Sequence, residues 1–317
     1  MEARAWVRGV AVLLVGVAAG SAGCGWRAFT EPAAAGPDYA LQGEYAAAGQ
    51  PFAAQVVALG DGAFRAVLLR GGLPGAGWDG ETRIPVEGFR DGAVVRFDGP
   101  WRATLSGGAL VGRTGRGEAF SLARVVRTSP TMGAHPPDGA VVLFAGAMSD
   151  ALAEGWVDAR GLLGVPARSA RAFGDARIHL EFQTPFMPTA RGQMRGNSGV
   201  YLQGRYEIQV LDSFGLAGAD DECGGVYQVA RPRVNMALPP LQWQTYDIAF
   251  HAARFEGGEK VEDARVSVRH NGVVIHEDLR LPAKTGGGDP EGPEPAALVL
   301  QDHWNPVFYR NVWVLPR

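Results

Sequence analysis

Cysteine is nearly absent from this chain: 317 residues hold two, Cys24 and Cys223. A small fold built on a disulfide framework is therefore excluded. Charge of one sign is also missing, since 30 basic residues are offset by 33 acidic ones for a net charge of −3. Without a basic field to steer a polyanion, no nucleic-acid partner is expected. No heptad and no long apolar stretch of helical period runs through the body of the sequence, which excludes helical bundles and coiled coils. His-Glu-x-x-His and other short metal-ligand motifs are lacking as well.

The single long apolar run lies at the N-terminus. Arg4 and Arg8 precede Val10 to Ala19, and Gly20-Ser21-Ala22-Gly23 then lead to Cys24. The run is shorter than the ~20 residues a membrane-spanning helix needs, so it reads as an export signal. Small residues before a cysteine suit a lipobox, with Cys24 the lipidated first residue of the mature protein. Plain signal-peptidase cleavage is the alternative. A periplasmic or cell-surface lipoprotein is expected, touching a membrane only through its N-terminal lipid. Cys223 would then have no partner. It follows Asp220-Asp221-Glu222, whose charges disfavour a thiolate, so a structural role is expected.

Glycine is abundant, 45 of 317, about twice its usual share of ~7 %. Short apolar runs separated by glycine turns point to many short strands. Residues 25–38 are rich in Ala, Pro and Gly and read as a tether. Residues 39–130 hold runs at Gln55 to Leu59, Phe64 to Leu69, Ala93 to Phe97, Trp101 to Leu105 and Ala119 to Val126, which predict a small antiparallel β domain. Ser129-Pro130, Gly133 and Pro136-Pro137 mark a boundary near residue 135. Residues 138–317 form the second domain.

Alternation is strongest in that second half. In Arg177 to Gln183, Ile178, Leu180 and Phe182 would face a core, and His179, Glu181 and Gln183 the other side. Val200 and Leu202 alternate with Tyr201 and Gln203, Ile208 and Val210 with Glu207 and Gln209, and Leu298 and Leu300 with Val299, Gln301 and His303. Asn271-Gly272 between two apolar runs predicts a type I′ hairpin. An antiparallel sheet needs polar residues on a solvated face, but such a face is usually Lys, Glu, Thr and Ser. Here it is Gln, His, Tyr and Glu without Lys, side chains that hydrogen-bond hydroxyls or stack on sugar rings. A ligand-binding face is the favoured reading.

Gly196-Asn197-Ser198-Gly199-Val200-Tyr201, Tyr206 to Asp212, Cys223 to Tyr227, Trp243 to Asp247, Leu300-Gln301-Asp302-His303 and Tyr309-Arg310-Asn311-Val312 together resemble one family. It was long catalogued as a domain of unknown function and is now named for 3-keto-disaccharide hydrolase, or 3-keto-glucoside 1,2-lyase and 2-hydroxyglucal hydratase, activity. The resemblance implies an all-β chain whose C-terminal part is a concanavalin A-like jelly-roll β-sandwich, preceded by the small antiparallel β domain. It implies an oxidised, 3-keto carbohydrate substrate, hence a separate sugar 3-dehydrogenase to make it, and no required cofactor. The sequence departs from the family where Trp304-Asn305-Pro306 follows His303, since members often carry glycine after the histidine.

A 3-keto sugar has an acidified C2 hydrogen, so cleavage needs a base at C2, a donor for the oxyanion at O3 and an acid for the leaving oxygen. Glu207 and His303 are the candidates for base and acid, in either order. Gln209 and Gln301 are candidate donors, Tyr201 a stacking platform, and Asn197, Gln203, Arg310, His179 and Glu181 further substrate contacts. A divalent cation held by His179, Glu181, Glu207 and His303 is an alternative way to polarise the ketone. Two other classes stay open: a glycosidase pairing Glu207 with Glu181 or Asp212, and a non-catalytic glycan-binding module.

Overall fold

The structure is a computed structural model that describes residues 26–317; the export segment and Cys24 lie outside the described residues. It is nearly all β. Eight antiparallel strands from Gly43–Ala46 to Ala119–Val125 close into a barrel. The expected apolar runs fall on its strands to within one residue, for example on Phe52–Gly60 and Ala63–Arg70. Asp61 and Gly62 both take left-handed backbone between those two, and so turn the chain. Arg83–Asp91 and Ala109–Thr114 are additional strands with weaker apolar alternation. Closure removes the exposed edges that an open sheet of this size would carry. Phe52, Phe64, Phe97, Trp101 and Phe120 fill the interior.

Residues 29–38 differ from the expected tether. Phe29 forms a β-bridge with Phe186, Ala35 is buried in the barrel cluster, and Asp38 accepts hydrogen bonds from Arg90 and from the Gly62 amide. Composition marked this stretch as a linker, but its few apolar and acidic side chains find partners on the barrel and at Phe186. Phe186 and Leu241, from the second half of the chain, complete the same cluster.

The second half is an antiparallel sheet of eleven strands among the described residues, bent over into a sandwich. One leaf runs Tyr206–Val210, Ser198–Leu202, Ala296–Leu300, Leu163–Phe173; the other runs Phe308–Pro316, Ala176–Gln183, Gln244–His251, Ala264–His270, Val273–Leu281. The seam is narrow, with Leu163 opposite Tyr309 and Gly164 opposite Phe308. Ile178, Leu180 and Phe182 share one core with Val200, Leu202, Ile208 and Val210, as the alternation predicts. Asn271 and Gly272 are both left-handed, the type I′ signature. Cys223 is buried in this core, and burial pushes its thiol up to about 11, in keeping with a structural role.

Candidate active site

Within Ser198–Leu202 and Tyr206–Val210 both faces are buried. The inner face meets the core, so the outer, polar face must be covered by loops. Tyr201 lies opposite Glu207 and Gly199 opposite Gln209 in the ladder. Under the loops these side chains line a cleft of about 200 Å³ together with Asn197, Gln301 and His303. Gln193, Tyr227, Gly286 and Gly287 complete the wall. A larger depression of about 1060 Å³ lies at the barrel, with Phe97, Trp101 and Phe120 among its lining residues, but it joins no carboxylate to an imidazole.

Glu207 is 2 % exposed. Its backbone N–H donates to Thr285 Oγ1 at 2.9 Å, and its Oε2 accepts from the Tyr201 hydroxyl at 2.8 Å. Burial drives its carboxyl up from 4.5 to about 7, against the lowering effect of the Tyr201 hydrogen bond. Burial and the neighbouring carboxylate also raise the Tyr201 hydroxyl far above its usual range, so it stays a donor. Room for the carboxylate comes from Gly199, where a Cβ would collide with Glu207 Oε1. Gly287 likewise leaves space beside the Tyr201 hydroxyl.

The amides are used differently from expectation. Gln209 Nε2 donates to Asn197 Oδ1 at 2.7 Å and to the Ser198 carbonyl at 2.9 Å, and Asn197 Nδ2 passes on to the Gln193 carbonyl and side chain. That chain of donors stiffens the cleft floor and leaves Gln209 without a free N–H for substrate. Gln301 is less committed: Nε2 reaches the Tyr201 hydroxyl only at 3.4 Å. Its Oε1 and His303 Nδ1 are buried without a hydrogen-bond partner. Two such orphans in one cleft suit ligand hydroxyls, because leaving them unmet costs free energy. Tyr201 is 6 % exposed and its hydroxyl is engaged by Glu207 and the Gly286 carbonyl, so it offers no open ring face as the stacking platform expected of it.

Four expected substrate contacts lie elsewhere. Gln203 has φ 55° in the turn after Leu202, where its amide bonds the Phe173 carbonyl and Arg205; the strand ends one residue too early for it to join the polar row. His179, Glu181 and Arg310 belong to the other leaf. Their apolar neighbours Ile178, Leu180 and Phe182 face the shared core, so alternation turns His179 and Glu181 to the opposite outer surface of the sandwich. There His179 Nδ1 meets Asp247 Oδ1 at 2.7 Å, and Glu181 accepts from Arg310, Asn311 and the Gly133 amide. Arg310 stacks on Trp243 at 4.1 Å. Burial alone would raise Glu181, yet the His179 ring and those donors hold it down at about 2. This cluster pins the connector at residues 129–134 to the sandwich, with Thr131 bonded to Asp247.

The same separation parts the four residues of the alternative cation site, since His179 and Glu181 are on one outer face and Glu207 and His303 on the other. Among the described residues no group of three or more His, Cys, Asp and Glu is arranged to hold a metal. Asp212 also leaves the cleft: it pairs with Arg195 at 2.7 Å. The residues that sequence reasoning missed as site members, Gln193, Tyr227, Gly286 and Gly287, come from a single 3-10 turn and from loops, none with a periodicity to read. Only the Cys223-to-Tyr227 motif could have pointed to one of them.

A jelly-roll sandwich with a loop-covered cleft joining one buried carboxylate to an imidazole is a glycosyl hydrolase-like enzyme domain. The chain belongs to the family of the 3-keto-alpha-glucoside-1,2-lyase-like domain, whose model matches residues 165–315. A solved structure of a candidate glycosyl hydrolase from Parabacteroides distasonis is 31 % identical, with a TM-score of 0.52, over 57 % of this chain and 85 % of that one. A second candidate glycosyl hydrolase from the same organism is 16 % identical, with a TM-score of 0.42, over 61 % of this chain and 98 % of that one. No curated protein matches the chain.

Proposed function

We propose that the protein cleaves 3-keto-glycosides by elimination across C1–C2, with hydration of the resulting glucal giving net hydrolysis. One observation carries this reading over a two-carboxylate glycosidase: Glu207 is the single carboxylate among the residues lining the cleft. Conventional glycoside hydrolysis needs a pair about 5 to 9.5 Å apart. Glu181 is on the opposite face and Asp212 is bound to Arg195, so neither supplies the second. Elimination from a ketone needs one base and one acid, and an imidazole can serve as the latter.

Glu207 takes the C2 proton, for which a carboxyl near 7 is well poised. The C2–H electron pair becomes the enediolate with its charge on O3. Tyr227 and the loosely held Gln301 amide are the donors available there. The enediolate collapses to a C1=C2 bond as the C1–O bond breaks, and His303 protonates the departing oxygen. Water then adds at C1 and a proton returns to C2, restoring the 3-keto sugar. The substrate comes from a separate sugar 3-dehydrogenase, and we place the protein outside the cytoplasm, held by a lipid on Cys24.

Incubation with a 3-keto-glucoside and with the matching unoxidised glucoside tests the reading. Release from the keto sugar alone is expected. Release from both would favour the two-carboxylate class, and binding without release a glycan-binding module. Keto-sugar cleavage that survives both Glu207→Gln and His303→Ala would overturn the assigned roles.

A further inference from the structure

Trp304 is 82 % exposed, the most exposed large hydrophobic side chain among the described residues. It is also one of the few non-glycine residues with left-handed backbone, at φ 58°. That conformation is unfavourable for a bulky side chain, and an outlier of this kind held by its surroundings points to function. Two anchors hold it. The Trp304 amide donates to Asp302 Oδ1 at 2.9 Å, and the next residue, buried Asn305, accepts the Asn197 amide at 2.9 Å on the cleft floor. The indole therefore stands on a loop fastened to the cleft, with its ring centre 5.1 Å from that of His303, edge to face.

We propose that Trp304 is the stacking platform for the leaving group, selecting glycosides whose aglycone presents a flat apolar ring face. This rests on the reading of His303 as the acid at the leaving oxygen. A cleft of about 200 Å³, below the ~300–1,000 Å³ of drug-sized ligand sites, takes one sugar ring and leaves the aglycone outside. The aglycone oxygen must lie at the acid, so the aglycone emerges beside His303, where the exposed indole is the adjacent surface. Tryptophan offers a large, rigid face for a second sugar ring or an aromatic ring, and little to a methyl group.

The test compares the full protein with Trp304→Ala and Trp304→Phe on three 3-keto-glucosides, with methyl, glucosyl and aryl aglycones. In Trp304→Ala the ratio of kcat/KM for ring aglycones over the methyl aglycone falls about tenfold, mainly through KM, and Trp304→Phe recovers most of it. A fall with both rings supports a general platform; a fall confined to the glucosyl or the aryl substrate assigns that ring type. An unchanged ratio overturns the proposal. Calorimetric titration with unoxidised aryl and methyl glucosides keeps the two readings apart. If the wild type cleaves no keto sugar, the reaction assignment fails, and weaker aryl-glucoside binding by Trp304→Ala still supports the platform. Equal binding by both proteins, or none by either, overturns it.

Discussion

Replacing Tyr201 by Phe removes one hydrogen-bond donor and leaves the ring in place. The hydroxyl lies 2.8 Å from Glu207 Oε2 and is the only side-chain donor to that carboxylate among the described residues. It opposes the burial that raises Glu207 to about 7. A hydrogen bond to a charged group contributes about 1.5–3 kcal/mol, equivalent to about one to two pH units for the acid it stabilises. The acid limb of kcat/KM, which reports the base in the free enzyme, should thus move from about pH 7 to about pH 8–9. At pH 7 the ionised fraction drops from about half to between about a tenth and a hundredth, so activity on a 3-keto-glucoside falls about 5- to 50-fold. Above the new limb it recovers. Initial rates across pH 5.5–9.5 (roughly the span needed to bracket both limbs) measure this. A limb that stays near pH 7, or a loss equal at every pH, would refute the assignment of Glu207 as the base tuned by Tyr201.

Glu207 also makes stability depend on pH. Because its folded-state pKa is raised from 4.5 to about 7, the folded state holds the proton more tightly than the unfolded chain. Wild-type stability is therefore fully present below 4.5 and is lost as pH rises through 7, by about 3 kcal/mol. Glu207→Gln should match the wild type in urea unfolding at about pH 4 and exceed it by up to about 3 kcal/mol at about pH 8; an equal gain at both values would contradict the buried carboxyl. Glu181→Ala leaves buried His179 and the half-exposed Arg310 without their acceptor in the connector clamp, and an unmet buried hydrogen-bonding group costs about 1–3 kcal/mol. A lower Tm with keto-sugar kinetics near wild type is expected, whereas lost turnover at unchanged Tm would put that cluster back into catalysis.

Alternation carried a long way in this chain. Ile178, Leu180, Phe182, Val200, Ile208 and Val210 read as core from sequence, and they form one core. Asn271-Gly272 announced its hairpin because both residues tolerate the left-handed backbone that a type I′ turn requires. Glu207, Tyr201 and Gln209 were marked as one polar face for the same reason: a strand alternates strictly, and the polar set must leave the core together. The lapse at Gln203 came from a turn that begins one residue after Leu202, where a period of two no longer applies.

Period two gives the parity of a side chain within its strand, but not which leaf of a sandwich the strand joins. His179 and Glu181 have the same parity pattern as Glu207 and Gln209, so local sequence treats the two pairs alike. The strand order decides between them, placing Ala176–Gln183 in the leaf across the core from Tyr206–Val210. One polar pair thereby became a clamp for the connector and the other the wall of a cleft. Burial of the polar row likewise depends on loops far along the chain, around Tyr227, Gly286 and His303, which the sandwich topology brings over it. Residue types made Glu207 a candidate base; its desolvated carboxyl, its single tyrosine donor and the lack of a second carboxylate beside it are products of tertiary packing.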